Sequence, residues 1–105
     1  MQHEFDNEDL LFRRANAAAL PVLAKLLARW LPDGVRRGDE WVARNPKRTD
    51  RRPGSFSINL RTGAWADFAT GDRGGDPVSL AAYLFDLRQA EAARKITHML
   101  GASHD

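Results

Sequence analysis

The chain has 105 residues, of which 43% are hydrophobic and 29% are charged, so its composition is that of a globular domain rather than a disordered chain. It contains no cysteine, which excludes disulfides, thiolate metal sites and cysteine nucleophiles. No apolar run approaches the roughly 20 residues of a membrane span, and the acidic start lacks the basic-then-apolar order of a signal peptide. We therefore expect one cytoplasmic domain over residues 1–105.

The net charge of +2 hides an uneven distribution. Between Arg36 and Arg61 there are eight basic and three acidic residues, an excess of five positive charges, and seven of the eight bases are arginine. Such a segment is typical of a polyanion-binding face or of a solvated, solubilising loop. Arginine favours the first interpretation, because its planar guanidinium can form bidentate hydrogen bonds with phosphates and stack on bases, which the lysine ammonium cannot do.

The N-terminal segment, residues 6–31, is predicted to be helical. Asp6 or Asn7 can cap this helix, and Pro21 predicts a kink or two consecutive helices. Around Pro21, large apolar residues recur at helical spacing and form one stripe: Leu20, Leu23, Leu26, Leu27, Trp30 and Leu31.

Residues 40–70 are predicted to form the β region. Residues 40–43 suit a short strand, and residues 45–54 form a basic loop with two prolines. Strict alternation from Ser55 to Leu60 predicts a half-buried strand, with its serines and asparagine on one face and its apolar residues on the other. A turn at 61–63 and a second strand at 64–68 complete a β-hairpin, and a glycine-rich loop follows at 70–75.

Residues 76–101 are predicted to form two helices. Asp76 caps the first and Pro77 takes its first position. The second helix runs from Gln89 to Leu100 and Gly101 closes it. The expected buried faces are Val78, Ala81, Ala82, Leu84 and Phe85 on the first helix, and Ala92, Ala93, Ile96, Met99 and Leu100 on the second.

No catalytic constellation emerges from the sequence, so we expect a non-catalytic chain. Asp67, Asp72 and Asp76 lie close together and suggest a two-metal site, but each suits a structural role better, as hairpin residue, turn residue and helix cap respectively. The loop from Gly71 to Gly75 precedes a helix and has the composition to present backbone amides to a phosphate. A tight turn is the favoured interpretation of that loop.

The order of basic loop, Pro-Gly-Ser-Phe at 53–56, hairpin, glycine-rich loop and apolar helix resembles the zinc-binding domain of bacterial DnaG-type primases. The phrase Trp-Ala-Asp-Phe-Ala-Thr-Gly-Asp at 65–72 resembles cysteine-free members found in primase- and helicase-like replication proteins of plasmids, phages and integrated elements. The resemblance covers residues 41–100. It implies an α+β fold in which a small, zinc-ribbon-like antiparallel hairpin or sheet packs with N-terminal and C-terminal helices.

The resemblance does not extend to the metal, so it implies a degenerate, metal-free zinc finger with no cofactor. The family's zinc ligands fall at Asn45, Arg48, Asp67 and Thr70, which do not make a tetrahedral zinc site. Since a structural zinc contributes folding free energy, we expect substitutes for it: an Arg48–Asp67 pair across the former site and burial of the leucine and tryptophan stripe.

The resemblance implies a module that binds DNA, as single-stranded template, during priming or replication of a mobile element, with a primase or helicase protein as partner. Trp65 either stands on an open face as a stacking platform or packs in the core. The alternative is a protein-interaction module that docks a primase, helicase or polymerase without binding DNA, or that forms a homodimer through the N-terminal helix. The candidate DNA contacts are Arg44, Lys47, Arg48, Arg51, Arg52, Arg61, Trp65 and Arg73.

Overall fold

A computed structural model describes residues 3–48 and 54–101, without the side chains of residues 3–7. Helices α1 (His3–Ala19) and α2 (Leu23–Trp30) are joined by a 3-10 turn (Leu20–Val22). Five strands follow, and two helices come last. The strands are β1 (Val35–Arg37), β2 (Glu40–Ala43), β3 (Phe56–Asn59), β4 (Trp65–Asp67) and β5 (Arg73–Gly74), and the helices are α3 (Pro77–Phe85) and α4 (Gln89–Leu100). The predicted α+β class is confirmed.

The N-terminal segment consists of two consecutive helices, as Pro21 predicted, because proline interrupts the hydrogen bonding of an α-helix. The expected cap at Asp6 or Asn7 is wrong: α1 already begins at His3, and both residues lie inside it. Acidic residues near a helix N-terminus favour the dipole without having to be the cap, which accounts for the earlier start. None of the described helices is long and apolar enough to cross a membrane.

The five strands form one antiparallel sheet in the order β1-β2-β3-β4-β5. The predicted hairpin is its centre, β3 and β4. The sequence did not predict the two edge strands: β1 consists of only three residues, all exposed, and β5 is two residues taken from the glycine-rich loop. Neither edge strand carries enough apolar alternation to be recognised from its sequence.

The two faces of the sheet differ, as the alternation of side chains in β3 predicted. Phe56 and Ile58 are fully buried on the inner face, whereas Ser57 and Asn59 are half-exposed on the outer face. The register extends the inner face to Ala43, Trp65 and Asp67, and the outer face to Val42 and Ala66. The helices lie on the inner side, where the ring of Phe56 lies 6.3 Å from that of Tyr83 in α3.

Helix α3 begins at the predicted cap. Asp76 Oδ1 accepts a hydrogen bond from the Ser79 amide at 2.8 Å, and Ser79 Oγ lies 3.4 Å from the Asp76 amide, which makes a reciprocal capping box. Helix α4 has its predicted bounds and ends at Gly101.

The predicted buried faces of these two helices are correct only in part. Val78, Ala81, Ala92, Ala93 and Ile96 are buried as expected. Phe85 and Met99 were expected to be buried and are instead 49% and 43% exposed. Both lie near the C-terminal ends of their helices, and the edge-to-face contact of Phe85 with Trp30 covers its ring only in part.

Candidate nucleic-acid interface

Two positions at which the resemblance places metal ligands, Asn45 and Asp67, are joined by a buried hydrogen bond. Asn45 Nδ2 donates to Asp67 Oδ2 at 2.8 Å, and the two residues are 1% and 0% exposed. Asn45 Nδ2 also donates to the Tyr83 hydroxyl at 2.8 Å, and Asn45 Oδ1 accepts from the Lys47 amide at 2.9 Å. Asn45 thereby connects the start of the basic loop (residues 45–54) to the hairpin and to α3.

Arg48 pairs with Asp67, as the sequence predicted. Its Nη1 lies 3.4 Å from Asp67 Oδ2 and 3.5 Å from Ser55 Oγ. The Arg48 side chain is 33% exposed while the carboxylate is fully buried, so the pair stands at the edge of the core. Its main effect is to compensate a buried negative charge, which is strongly destabilising when left alone.

The pKa of Asp67 lies below its usual value. Burial acts in the opposite direction and by itself raises the pKa. Hydrogen bonds from Asn45, from the Ala69 amide and from Ser55, together with the charge of Arg48, outweigh burial and hold the carboxyl ionised. Asp67 is therefore a buried anion surrounded by donors.

Thr70, the fourth position at which the resemblance places a metal ligand, does not join this cluster. Thr70 is exposed, and its Oγ1 accepts from the Asp72 amide at 3.1 Å. Asp72 instead reaches the cluster through Tyr83, whose hydroxyl donates to Asp72 Oδ2 at 2.8 Å. Burial and the neighbouring Asp72 raise the pKa of Tyr83, so it remains a hydrogen-bond donor.

Sequence reasoning missed Tyr83. One signal was available: Tyr83 lies seven residues after Asp76, about two helical turns from the cap, and so on the side of α3 that faces the hairpin. A tyrosine there brings an apolar ring to the core and a hydroxyl to the polar cluster. We call Asn45, Arg48, Asp67, Asp72 and Tyr83 the inner polar cluster.

The inner polar cluster does not fit a metal ion. Within residues 3–48 and 54–101, no three His, Asp or Glu residues are placed to hold one. The side chains also have the wrong chemistry for a cation, since Asn45 and Arg48 direct N–H donors at Asp67. The Arg48 guanidinium supplies the positive charge beside Asp67.

Trp65 belongs to the core, which corrects its assignment as a DNA contact. It is 5% exposed, and its Nε1 donates to Ser79 Oγ at 3.0 Å. Its ring lies 4.7 Å from the ring of Tyr83. Gly74 of β5 passes so close that a Cβ there would meet the indole nitrogen at 2.4 Å, which explains the glycine. Strand alternation directs Trp65 inward together with Asp67, so neither indole face is open to a base.

The glycine-rich loop does not offer free amides to a phosphate at the start of α3. Pro77 has no N–H, the Val78 amide donates to Asn16 Oδ1 at 2.9 Å, and the Ser79 amide donates to Asp76. The first turn of α3 is therefore satisfied from within the described chain. The tight-turn interpretation of this loop is the one that its hydrogen bonds fit.

The outer face of the sheet carries an exposed aromatic residue that sequence reasoning overlooked. Phe68 is 75% exposed, more than any other large hydrophobic residue of the described chain. Its amide donates to the Ser55 carbonyl at 2.8 Å, which extends the β3–β4 ladder by one residue. Phe68 is the first residue of the turn after β4. Since Asp67 points inward, continuing the strand alternation by one residue directs Phe68 to the outer face, the face of Ala66 and Ser57.

Two predicted arginines flank Phe68 on this face. The register sets Arg73 opposite Ala66, and continues from the Ala43–Phe56 pair to set Arg44 beside Ser55. Strand spacing then separates the Cα atoms of Arg73 and Arg44 from that of Phe68 by about 8 and about 10 Å respectively. Both arginines are exposed, and within the described ranges neither has an ion pair. We call Arg44, Phe68 and Arg73 the outer cluster.

The remaining predicted contacts are not brought to the outer cluster. Lys47 Nζ pairs with Asp86 and lies 5.1 Å from the centre of the Tyr83 ring, on the helical side. Arg61 Nε lies 3.2 Å from Asp39 Oδ2 near the β3–β4 turn, at the opposite end of the strands. Arg51 and Arg52 lie outside the described residues.

Comparison with known proteins identifies no relative. No family model matches the chain, no curated protein is similar to it, and no solved structure resembles it.

Proposed function

We propose that this chain is a non-catalytic module that binds single-stranded DNA through the outer cluster. The observation that carries the proposal is Phe68, an aromatic side chain that is 75% exposed at the end of β4. The continued register sets it between Arg44 and Arg73 on a face of the sheet that no described element covers. An aromatic ring at such a position stacks on a base, and flanking arginines bind the phosphates on either side. The resemblance to primase zinc-binding domains, and with it a role in priming or replication of a mobile element, belongs to this proposal.

Single-stranded rather than duplex DNA is the expected ligand. A base must leave its stack before its face can rest on Phe68, and only single strands offer such bases without the cost of unpairing. Each base stacked on an aromatic side chain contributes about 1–3 kcal/mol whatever the base. The module is therefore expected to bind with little base specificity.

The basic loop (residues 45–54), which follows Arg44, is expected to increase the affinity for DNA. It leaves the sheet at Arg44 and returns at Ser55, two positions beside each other at the Phe68 end of the outer face. The sequence places Arg51 and Arg52 within it. The half-buried Glu40, which accepts from Asn59 at 3.0 Å, belongs to the other end of the same face, where the register sets the exposed Arg37 opposite it.

The direct test is a fluorescence-anisotropy titration of a labelled oligothymidine with the full chain, between about 50 and 200 mM salt. We expect saturable binding at low salt, an affinity that falls with salt by about 0.7 logarithmic units per phosphate contact, and weaker binding of a duplex of the same length. Charge reversal of both Arg51 and Arg52 should lower the affinity further. No binding at low salt, or equal binding after that reversal, would count against the proposal.

A further inference from the structure

The basic loop starts with a turn that is closed by its own hydrogen bonds. In residues 45–48 the Arg48 amide donates to the Asn45 carbonyl at 3.0 Å. The Lys47 amide donates to Asn45 Oδ1 at 2.9 Å, a bond that asparagine commonly makes to the backbone two residues on. Neither the inner polar cluster nor the outer cluster accounts for the contacts of the Lys47 side chain.

The Lys47 side chain reaches helix α3, where its ammonium has three favourable partners. Its Nζ pairs with the Asp86 carboxylate and lies 5.1 Å from the centre of the Tyr83 ring. Asp86 is the C-terminal cap of α3, so the ammonium also lies at the negative end of the helix dipole. The Lys47 side chain is only 29% exposed. Lys47 is therefore directed at α3.

Asp86 is a fixed point on the helix. Within the described ranges it is the one non-glycine residue with a positive φ, 55°, a conformation that aspartate tolerates better than most residues. Its amide donates to the Ala82 carbonyl, which holds it at the end of α3. The ion pair thus joins the first turn of the basic loop to a helix end 39 positions further along the chain.

We infer that Lys47 and Asp86 are positioning residues for DNA binding, which hold the start of the basic loop without touching the DNA. The inference rests on the proposed function. Arg51 and Arg52 follow Lys47 within five residues, so fixing residues 45–48 restricts where these arginines can lie. A loop that is held before the strand arrives loses less conformational entropy on binding. The pair itself contributes little to stability, because both side chains are partly exposed.

Asp86→Asn distinguishes positioning from charge by the sign of its effect. Removing an acid makes the protein more positive and by itself favours binding of a polyanion. Positioning predicts the opposite: the affinity of the full chain for labelled oligothymidine should fall at least threefold. The matched control is Asp33→Asn, at an exposed acid without an ion pair in the described ranges. The control should bind as tightly as the wild type, or more tightly.

Variants of Lys47 test whether this residue touches DNA. Lys47→Met should weaken binding as Asp86→Asn does and leave the slope of log affinity against log salt unchanged, whereas loss of a phosphate contact would lower that slope by about 0.7. The exchange of Lys47→Asp with Asp86→Lys restores the pair. It should bind more tightly than Asp86→Lys alone, although it is the less positive protein.

Hydrogen exchange of the Lys47 and Arg48 amides, followed by NMR on the DNA-free protein, reports on the turn itself. Both amides should exchange at least tenfold faster in Asp86→Asn and at the wild-type rate in Asp33→Asn. Unchanged exchange in Asp86→Asn, or affinity lost only because that variant has a lower urea midpoint, would overturn the inference. Failure of the wild type to bind oligothymidine would overturn the proposed function and this inference together. Wild-type binding that Asp86→Asn does not weaken would overturn this inference alone.

Discussion

Two consecutive residues at the end of β4 belong to clusters with opposite environments. Asp67 points inward, is fully buried, and is surrounded by donors from Asn45, Ala69 and Arg48. Phe68, the next residue, points outward and is 75% exposed. The inner polar cluster has its hydrogen bonds satisfied, whereas the outer cluster exposes an aromatic ring and two arginines.

This difference predicts that the inner polar cluster contributes to folding stability and the outer cluster to ligand binding. Satisfied buried polar groups hold the basic segment, hairpin and α3 together, which is the task a structural metal performs by ligation. An exposed aromatic residue beside arginines contributes little to folding and remains available to a ligand. We therefore expect substitutions in the inner polar cluster to change the free energy of unfolding, and substitutions in the outer cluster to change affinity for DNA.

The largest effect on stability is expected from Asn45→Ala. The change leaves the buried Asp67 carboxylate without its shortest side-chain donor and opens a cavity, so it should lower the free energy of unfolding by about 3 kcal/mol. Urea denaturation measures the loss. Thr70→Ala is the matched control, because Thr70 is exposed and lies outside the cluster, and it should cost less than about 0.5 kcal/mol. Equal losses would contradict the assignment of Asn45 as the central residue.

A smaller, pH-dependent effect is expected at Asp67. Because folding lowers the pKa of Asp67, its contribution to stability is fully present above the unfolded pKa of about 3.9 and is lost as pH falls through the folded pKa. Asp67→Asn should therefore be less stable than the wild type near neutral pH by a constant amount, and the difference should shrink in acid.

Denaturation curves recorded from neutral pH to below pH 4 test this expectation. The matched control is Asp33→Asn, at an exposed acidic residue after α2, whose stability should follow the wild type at every pH. The difference in free energy of unfolding between the wild type and Asp67→Asn should not stay constant as the pH falls. A constant difference would show that the donors do not stabilise the ionised form of Asp67.

The smallest effect is expected on the salt dependence of binding. Arg44→Gln and Arg73→Gln should each reduce the slope of log affinity against log salt by about 0.7, the value for one phosphate contact on a single strand. Arg61→Gln is the control, because Arg61 lies at the other end of the strands beside Asp39. Titrations at three salt concentrations give the slopes. A reduction in Arg61→Gln equal to the other two would show that net charge, not position, determines binding.

Much of the fold could be predicted because local signals agreed with the tertiary structure. The alternation at 55–60, the break at Pro21, the cap at Asp76 and the bounds of α4 were all correct, since each has a local physical cause. The Arg48–Asp67 pair was also predicted, although only through the resemblance, which aligned two residues 19 positions apart.

The rest depended on tertiary placement that no local pattern contains. Tyr83 joins the inner polar cluster because α3 packs across the hairpin, and β5 lies so close to Trp65 that it has no room for a side chain at Gly74. Trp65 and Phe68 were separable in principle, because alternation from the buried Ile58 partner directs Trp65 inward and Phe68 outward. The sequence analysis left Trp65 open between a stacking platform and the core, and named it as a contact for its residue type and its basic neighbours, although tryptophan is highly buried on average.

The most direct test of the separation between the two clusters is Phe68→Ala, measured for both oligothymidine affinity and urea denaturation, with Phe85→Ala as the matched control on the helical side. Phe68→Ala should weaken binding about tenfold, corresponding to about 1.4 kcal/mol of lost stacking, and should change the free energy of unfolding by less than about 0.5 kcal/mol. Phe85→Ala should leave the affinity unchanged. If Phe68→Ala binds as tightly as the wild type, or loses affinity only because it unfolds, then the outer cluster is not the DNA-binding surface.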